Sequence, residues 1–246
     1  MPAAYGWRAR VGKLNPTVVA STFVYEFYKV VPPGVMLLTR NLSVSDVRNP
    51  ADLDASVALM EEAVKELKRA GADLILGAGI PVLLSPGVGG NEKILKLLAD
   101  LSGLPAVTTL SSAVDAFHQL QVKRLAIATA YGKPELGENL AAFMRAQGFE
   151  VAGLSTIETG LASIEKPNID FGFVYRYGKK VFHDADRADV LYLPSSSWPT
   201  VEYVEYLEKD IGVPVVSSSL AATWNCLRVL DIHEPIHGYG KLFNTL

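Results

Sequence analysis

The chain has 246 residues, of which 49% are hydrophobic and 20% charged, and this composition excludes an intrinsically disordered protein. Its 23 lysines and arginines against 26 aspartates and glutamates give a net charge of −3, which is not typical of a nucleic-acid-binding protein. The single cysteine, Cys226, excludes an internal disulfide and a cysteine-based zinc site. We expect a cytoplasmic protein, because no apolar run reaches the roughly 20 residues that span a bilayer and the first ten residues do not resemble a signal peptide.

Short apolar runs that end at small or turn-forming residues predict the β-strands of the chain. In chain order, the predicted strands cover residues 10–15, 35–39, 73–76, 106–109, 124–129, 151–154, 189–193 and 214–217. Stretches with apolar residues at three- and four-residue spacing predict amphipathic helices. These helices cover residues 52–70, 91–101, 113–120, 136–147, 169–185, 200–211 and 221–230. The alternation of strands and helices predicts an α/β fold with parallel sheets flanked by helices.

The chain also repeats its own pattern. Residues 72–79 match residues 188–195 at an offset of 116, and residues 10–17 match residues 124–131 at an offset of 114. The turn Gly103-Leu104-Pro105 returns as Gly212-Val213-Pro214, at an offset of 109. Three matches in the same order predict two pseudo-symmetric halves, at residues 1–113 and 114–230. We expect the last helix to cross back onto the first half, so residues 231–246 are assigned to that half.

The cleft between the two halves is the expected site, because ligands of open parallel sheets bind beyond the carboxyl ends of the strands. The repeat places these residues at its walls: Thr17, Gly79, Ile80, Pro81, Tyr131, Ser195, Ser196 and Ser197, with Trp198 beside them. Asn15 is also expected in the pocket, because it lies near the end of the first strand. The set is rich in hydroxyl groups and poor in charge. Together with amides at helix starts, it suits an anion such as a carboxylate or an enediolate.

Each of these residues also has a structural explanation. A serine after a strand often caps the next helix, a tyrosine or tryptophan often packs, and a glycine often serves a turn. Lys13 lies inside a predicted central strand, where it is either catalytic, paired with an acid, or extended between helices. Arg40 follows the second strand and either binds a carboxylate or lies on the surface.

The chain resembles the aspartate/glutamate racemase superfamily over most of residues 70–246. The stretches that carry the resemblance are Gly103-Leu104-Pro105, Thr108-Thr109, Ser112-Ala113-Val114, and residues 125–131, 212–219 and 238–243. Within the superfamily, the pattern is most similar to the arylmalonate decarboxylases, followed by the maleate isomerases.

The resemblance implies catalytic positions after the third strand of each half. Racemases of the superfamily have a cysteine at both, whereas arylmalonate decarboxylases keep only the second and have glycine at the first. Here the first position is Gly79 and the second is Ser195, so neither thiol is present. The Thr-Ser pair that holds the reacting carboxylate in the decarboxylases is replaced by Ile80-Pro81, whereas Tyr131 matches their tyrosine.

The resemblance implies a cofactor-independent lyase or isomerase that acts on a small carboxylic acid through an enolate or enediolate. The first hypothesis is decarboxylation of a malonate-like acid, with Ser195 at the proton-donor position and Tyr131 binding the anion. The second is a maleate-isomerase-like enzyme, or a lyase or hydrolase that uses hydroxyl chemistry. The third is a non-catalytic protein that binds small acids. We expect neither a metal, nor a nucleic acid, nor a membrane as partner.

Overall fold

The computed structural model describes residues 4–19, 22–87 and 89–246 and contains two four-stranded parallel sheets. The first has the order β2-β1-β3-β4, with strands β1 (Ala9–Thr17), β2 (Val35–Val44), β3 (Leu74–Leu76) and β4 (Ala106–Val107). The second has the order β6-β5-β7-β8, with strands β5 (Arg124–Thr129), β6 (Glu150–Thr156), β7 (Val190–Leu193) and β8 (Val215–Ser217). The predicted α/β fold with two pseudo-symmetric halves is therefore confirmed.

Helices cover the two sheets. They are α1 (Thr22–Val30), α2 (Pro50–Arg69), α3 (Ile80–Leu84), α4 (Gly90–Ser102), α5 (Thr109–Gln119), α6 (Pro134–Ala146), α7 (Phe171–Asp184), α8 (Val204–Ile211) and α9 (Ser218–Val229), with 3-10 turns at Lys166–Asn168 and Lys241–Thr245. None of the helices in the described ranges is long and apolar enough to cross a membrane. Thr108 caps α5 and Ser217 caps α9, each through its side-chain oxygen.

The strand register reproduces the repeat found in the sequence. Val11 pairs with Leu74, and their equivalents Leu125 and Val190 pair in the same way, at offsets of 114 and 116. The amide of Arg10 donates to the carboxylate of Asp73 at 2.8 Å, and the amide of Arg124 donates to that of Asp189 at 2.9 Å. The two halves therefore share strand order, register and one side-chain contact.

Two helices were not predicted from the sequence. Helix α1 has many aromatic and β-branched residues, which favour strands, yet it buries Phe23, Glu26, Phe27 and Val30 on one helical face. Helix α3 has only five residues, too few to show a periodic pattern. Both elements lie next to the cleft between the halves, where the sequence predicts the ligand site.

The end of β1 also differs from the prediction that it stops before Pro16. The strand continues to Thr17, and its register with β2 shifts between Asn15 and Thr17. Proline lacks an amide hydrogen, so it is tolerated in a strand at such an irregularity. The carboxyl end of the strand is therefore at Thr17.

The last helix packs against the first half, since α9 contacts α5 and α1. The predicted boundary between residues 113 and 114 falls within α5. The C-terminal segment touches both halves, because Glu234 pairs with Arg8 at 2.6 Å and the amide of Lys241 donates to Glu208 of α8 at 2.9 Å. The division of the chain into two domains stays a prediction.

Candidate active site

A cavity of about 50 Å3 lies where the carboxyl ends of strands from both sheets meet. The first half lines it with Pro16, Thr17, Val47, Gly79, Ile80, Pro81, Val82 and Thr109, and the second half with Tyr131, Ser163, Lys166, Pro194, Ser195, Ser196, Ser197 and Ser218. The structure thus brings together the predicted residues Thr17, Gly79, Ile80, Pro81, Tyr131, Ser195, Ser196 and Ser197 in one cavity.

Asn15 does not line this cavity. Its side-chain amide donates to the carbonyl oxygens of Thr17, at 2.9 Å, and Val19, at 3.2 Å, and to the side-chain oxygen of Asn41 at 3.2 Å. The longer β1 explains this position, because the strand end that reaches the cavity is Thr17. Asn15 holds the segment that follows β1.

Trp198 does not line the cavity either. It is fully buried, and its ring packs edge-on against Tyr177 with 5.9 Å between centroids. Because aromatic pairs of this geometry are common in protein cores, its placement agrees with the packing interpretation.

Gly79 and Ser195 occupy equivalent positions after β3 and β7 and both line the cavity. Gly79 caps the short helix α3, and a Cβ added to it would lie 3.0 Å from Cγ of Pro16. Ser195 is half-buried, and its amide donates to the carbonyl of Leu193 at 2.8 Å. Ser195 does not cap α8, which begins at Val204. At this pair of equivalent positions, the cavity therefore has a glycine on the first half and a hydroxyl on the second.

Tyr131 is buried, and its hydroxyl donates to the carbonyl of Pro194, the residue before Ser195. Burial raises the pKa of Tyr131 well above its usual value of 10. The side chain is a neutral phenol near pH 7, and it has one O–H donor, so it can donate to an anion only in exchange for its bond to Pro194.

Lys166 is a cavity residue that the sequence analysis missed. Its side chain is buried, and its ammonium group donates to the carbonyl of Ala130 at 2.6 Å. Burial lowers its pKa from 10.5 to about 8, and the neighbouring Arg48 acts in the same direction, whereas Asp46 opposes the shift. The residue lies in the long segment between β6 and α7, where nothing in the local pattern distinguishes a buried lysine from a solvated one.

The segment that contains Lys166 also joins the two halves. The hydroxyl of Ser163 accepts a hydrogen bond of 3.0 Å from the amide of Val47, in the loop after β2. Both residues line the cavity. This bond therefore places loops from both halves side by side at the cavity.

A buried carboxylate of the first half holds the chain that follows the serine segment. Glu26 of α1 accepts hydrogen bonds from the amide of Val201 at 2.9 Å, from the amide and hydroxyl of Thr200, and from the hydroxyl of Ser219. Burial raises its pKa, while these four donors lower it. Glu26 thus ties the first half to the chain that follows Ser195, Ser196 and Ser197.

Lys13, Cys226 and Arg40 lie outside the cavity lining. Lys13 is fully buried, and its ammonium group has no hydrogen-bond partner within the part of the chain that the structure describes. Cys226 is fully buried in α9, and burial raises its pKa to about 12. Arg40 pairs with Glu66 at 2.6 Å on the half-exposed surface, which agrees with the surface interpretation.

In residues 4–19, 22–87 and 89–246, no three side chains of histidine, cysteine, aspartate or glutamate come together as a metal site would need. The residues that line the cavity supply hydroxyl groups, one phenol, one ammonium group and backbone amides. Such groups bind anions and transfer protons.

Comparison with known proteins identifies related enzymes. The chain is 26% identical to arylmalonate decarboxylase of Bordetella bronchiseptica, over 86% of this chain and 88% of that protein. It is also 26% identical to maleate isomerase of Nocardia farcinica, over 79% of this chain and 78% of that protein. Both relatives are enzymes, one a lyase and the other an isomerase.

Solved structures show the same fold. A double mutant of arylmalonate decarboxylase in a liganded form has a TM-score of 0.88 at 23% identity and covers 96% of this chain and 99% of its own. A Nocardia farcinica maleate cis-trans isomerase bound to Tris has a TM-score of 0.85 at 22% identity, over 96% and 98% of the two chains. The model of the arylmalonate decarboxylase family matches residues 26–243. The chain therefore belongs to the arylmalonate decarboxylase family.

Proposed function

We propose that this chain is a cofactor-independent decarboxylase of a small malonate-like acid and that the reaction takes place in the cavity between its halves. The observation that carries the proposal is the position of Gly79, Tyr131 and Ser195 on the walls of one cavity. A curated relative that covers most of the chain is an arylmalonate decarboxylase, which supports the same reaction type.

The proposed reaction breaks one carbon–carbon bond. Carbon dioxide leaves, and the electron pair of the bond stays on the substrate as an enediolate. The phenol of Tyr131, which exchanges its bond to the Pro194 carbonyl for one to the substrate, and nearby amides stabilise this anion by hydrogen bonding. The carbon then takes a proton from the hydroxyl of Ser195, which recovers one from water. The product is a monocarboxylic acid.

The absence of a thiol from the cavity favours decarboxylation over reactions that begin with a nucleophile or a base. An enediolate carbon is basic enough to take a proton from an alcohol. Adding a hydroxyl to a double bond, or removing a proton from carbon, requires that the hydroxyl first be deprotonated by a neighbouring base. A maleate isomerase variant of Nocardia farcinica has been solved with a covalently bound succinylcysteine intermediate. The one cysteine of this chain, Cys226, lies outside the cavity lining.

A substrate panel tests the proposal. Purified protein is incubated with alkyl and aryl malonates, maleate, hydantoins and cyclic imides, with and without EDTA, and carbon dioxide release is measured. We expect release from a malonate, unchanged by EDTA, with one deuterium in the product when the solvent is D2O. Conversion of maleate to fumarate without carbon dioxide release would instead identify an isomerase. Tight binding without any turnover would identify a binding protein.

A further inference from the structure

The charge of the cavity wall comes from one residue. Among the described residues that line the cavity, Lys166 is the one that carries a formal charge, and neither aspartate nor glutamate is present. Tyr131 is neutral near pH 7, as a phenol ordinarily is, and burial raises its pKa further. The cavity is therefore a cationic environment, although the chain as a whole has a net charge of −3.

The ammonium group of Lys166 is not fully compensated by its surroundings. The carboxylate of Asp46 favours the charged form of Lys166, but it is bound in bidentate fashion by Arg48, with nitrogen–oxygen distances of 2.6 to 3.0 Å. The charge of Arg48 in turn disfavours the charged form of Lys166. A buried cation with so little compensation is costly unless an anion joins it.

The hydrogen bonds of Lys166 leave donors for a ligand. An ammonium group has three N–H donors, and within the described ranges one acceptor is bound to it, the carbonyl of Ala130 at 2.6 Å. The next residue in the chain, Tyr131, lines the same cavity. A carboxylate has two oxygen atoms and can accept from the remaining N–H donors of the ammonium group.

The other polar side chains of the cavity wall carry no charge. The hydroxyl of Ser218 is buried and lines the cavity, and it acts on the buried phenol of Tyr192, whose pKa burial raises and this hydroxyl lowers. Among the described residues of the wall, Lys166 is therefore the group with spare donors and a positive charge.

From these contacts we infer that Lys166 binds a carboxylate of the substrate and thereby selects dicarboxylates over their amides and half-esters. The inference rests on the proposed function and adds the residue that determines its specificity. A malonate keeps one carboxylate on Lys166 while it loses the other. A half-ester has a single carboxylate, so it can either bind to Lys166 or undergo decarboxylation, and it should be a poor substrate.

Calorimetric titration at pH 7 tests this inference with malonate, phenylmalonate and the neutral diamide of malonate. The variants are Lys166→Met, Lys166→Arg and the control Lys133→Met. Lys133 is exposed and donates to the backbone of Arg48 at 3.0 Å, so it is a nearby lysine outside the cavity. We expect Lys166→Met to weaken dicarboxylate binding at least 10-fold, Lys166→Arg to change it less than about threefold, and Lys133→Met to leave it unchanged.

The pH dependence provides a second readout that does not require Lys166→Met to fold. The wild-type affinity for malonate should fall as the pH rises above about 8, because Lys166 then loses its charge. In Lys166→Arg this fall should disappear, since arginine stays charged. The charged groups that act on Lys166, Asp46 and Arg48, do not titrate in this range. An equal fall in both proteins would overturn the inference.

The failure of this inference is distinguishable from failure of the proposed function. If carbon dioxide is released but folded Lys166→Met binds dicarboxylates as well as the wild type, the inference is wrong and the decarboxylase stands. If binding depends on Lys166 but no malonate is decarboxylated, the decarboxylase is wrong and the inference stands. If the wild type binds neither malonate nor phenylmalonate, the inference is overturned.

Discussion

The ammonium group of Lys13 lies 3.9 Å from the centroid of the Phe23 ring, in the core of the first half. Among the residues that the structure describes, no acid pairs with this side chain, and it does not reach solvent, although both were structural alternatives in the sequence. Burial lowers the pKa of Lys13, and the neighbouring thiol of Cys226 opposes this shift. The cation–π contact with Phe23 offsets part of the solvation energy that the ammonium group loses on burial.

Replacement of Lys13 by methionine should stabilise the protein near pH 7. Burial lowers the pKa of Lys13 from 10.5 to about 8, a difference that corresponds to about 3 kcal/mol. Below pH 8 the lysine is charged in both the folded and unfolded states, so the full penalty is present. Above pH 10.5 it is neutral in both, and the gain should vanish. Urea unfolding at pH 7 and pH 11 measures the difference in the free energy of unfolding between Lys13→Met and the wild type. The control is Lys29→Met, at an exposed lysine, which should not stabilise the protein at either pH.

Glu26 should tolerate glutamine but not alanine. Both backbone amides donate to the same carboxylate oxygen, Oε1, whereas Oε2 receives hydroxyl groups, which can rotate and accept. We expect Glu26→Gln to change the free energy of unfolding by less than about 1 kcal/mol, and Glu26→Ala to lower it by about 3 kcal/mol or more. Equal losses in the two variants would show that the negative charge, rather than the hydrogen-bond pattern, matters.

Substitutions at Ser195 should change the turnover rate and leave the free energy of unfolding nearly unchanged. With a malonate that the wild type decarboxylates, Ser195→Ala should reduce turnover 10-fold or more, because such groups contribute roughly 10²- to 10⁴-fold. Ser195→Cys should increase turnover, since a thiol is the more acidic proton donor. Ser85→Ala, outside the cavity lining, is the control. If Ser195→Ala keeps full activity, the proton must come from elsewhere in the cavity.

Cys226 should be inert in the folded protein. The thiol is fully buried, and its pKa is raised to about 12, so almost no thiolate is present at pH 8. We expect alkylating reagents to react with it only after unfolding, with no loss of activity before that point. Cys226→Ala should cost roughly 1 kcal/mol of stability, as small truncations of the core do. Rapid labelling under native conditions would contradict the placement of α9.

The repeat made most of the fold predictable, because a parallel sheet depends on short apolar runs with fixed spacing. The same regularity located Gly79, Tyr131 and Ser195, which stand at strand ends. Lys166 could not be found in this way, since its burial results from the contact between its loop and the loop of Val47. Glu26 was missed for a related reason: a carboxylate in the sequence looks solvated until the chain beyond Ser197 supplies its donors.

The two halves differ most in length between their third and fourth strands. The register pairs Ile75 with Ala106 and Leu191 with Val215, so the offset falls from 116 to 109 and the first half is longer here. That extra length accommodates α3, and the equivalent stretch of the second half begins with the serines. In the proposed reaction, a planar enediolate between these walls would have two inequivalent faces, one towards Gly79 and one towards the hydroxyl of Ser195. With two different substituents on the carbon, protonation from the serine side would give a single enantiomer, so a difference between the repeats would set the chirality of the product.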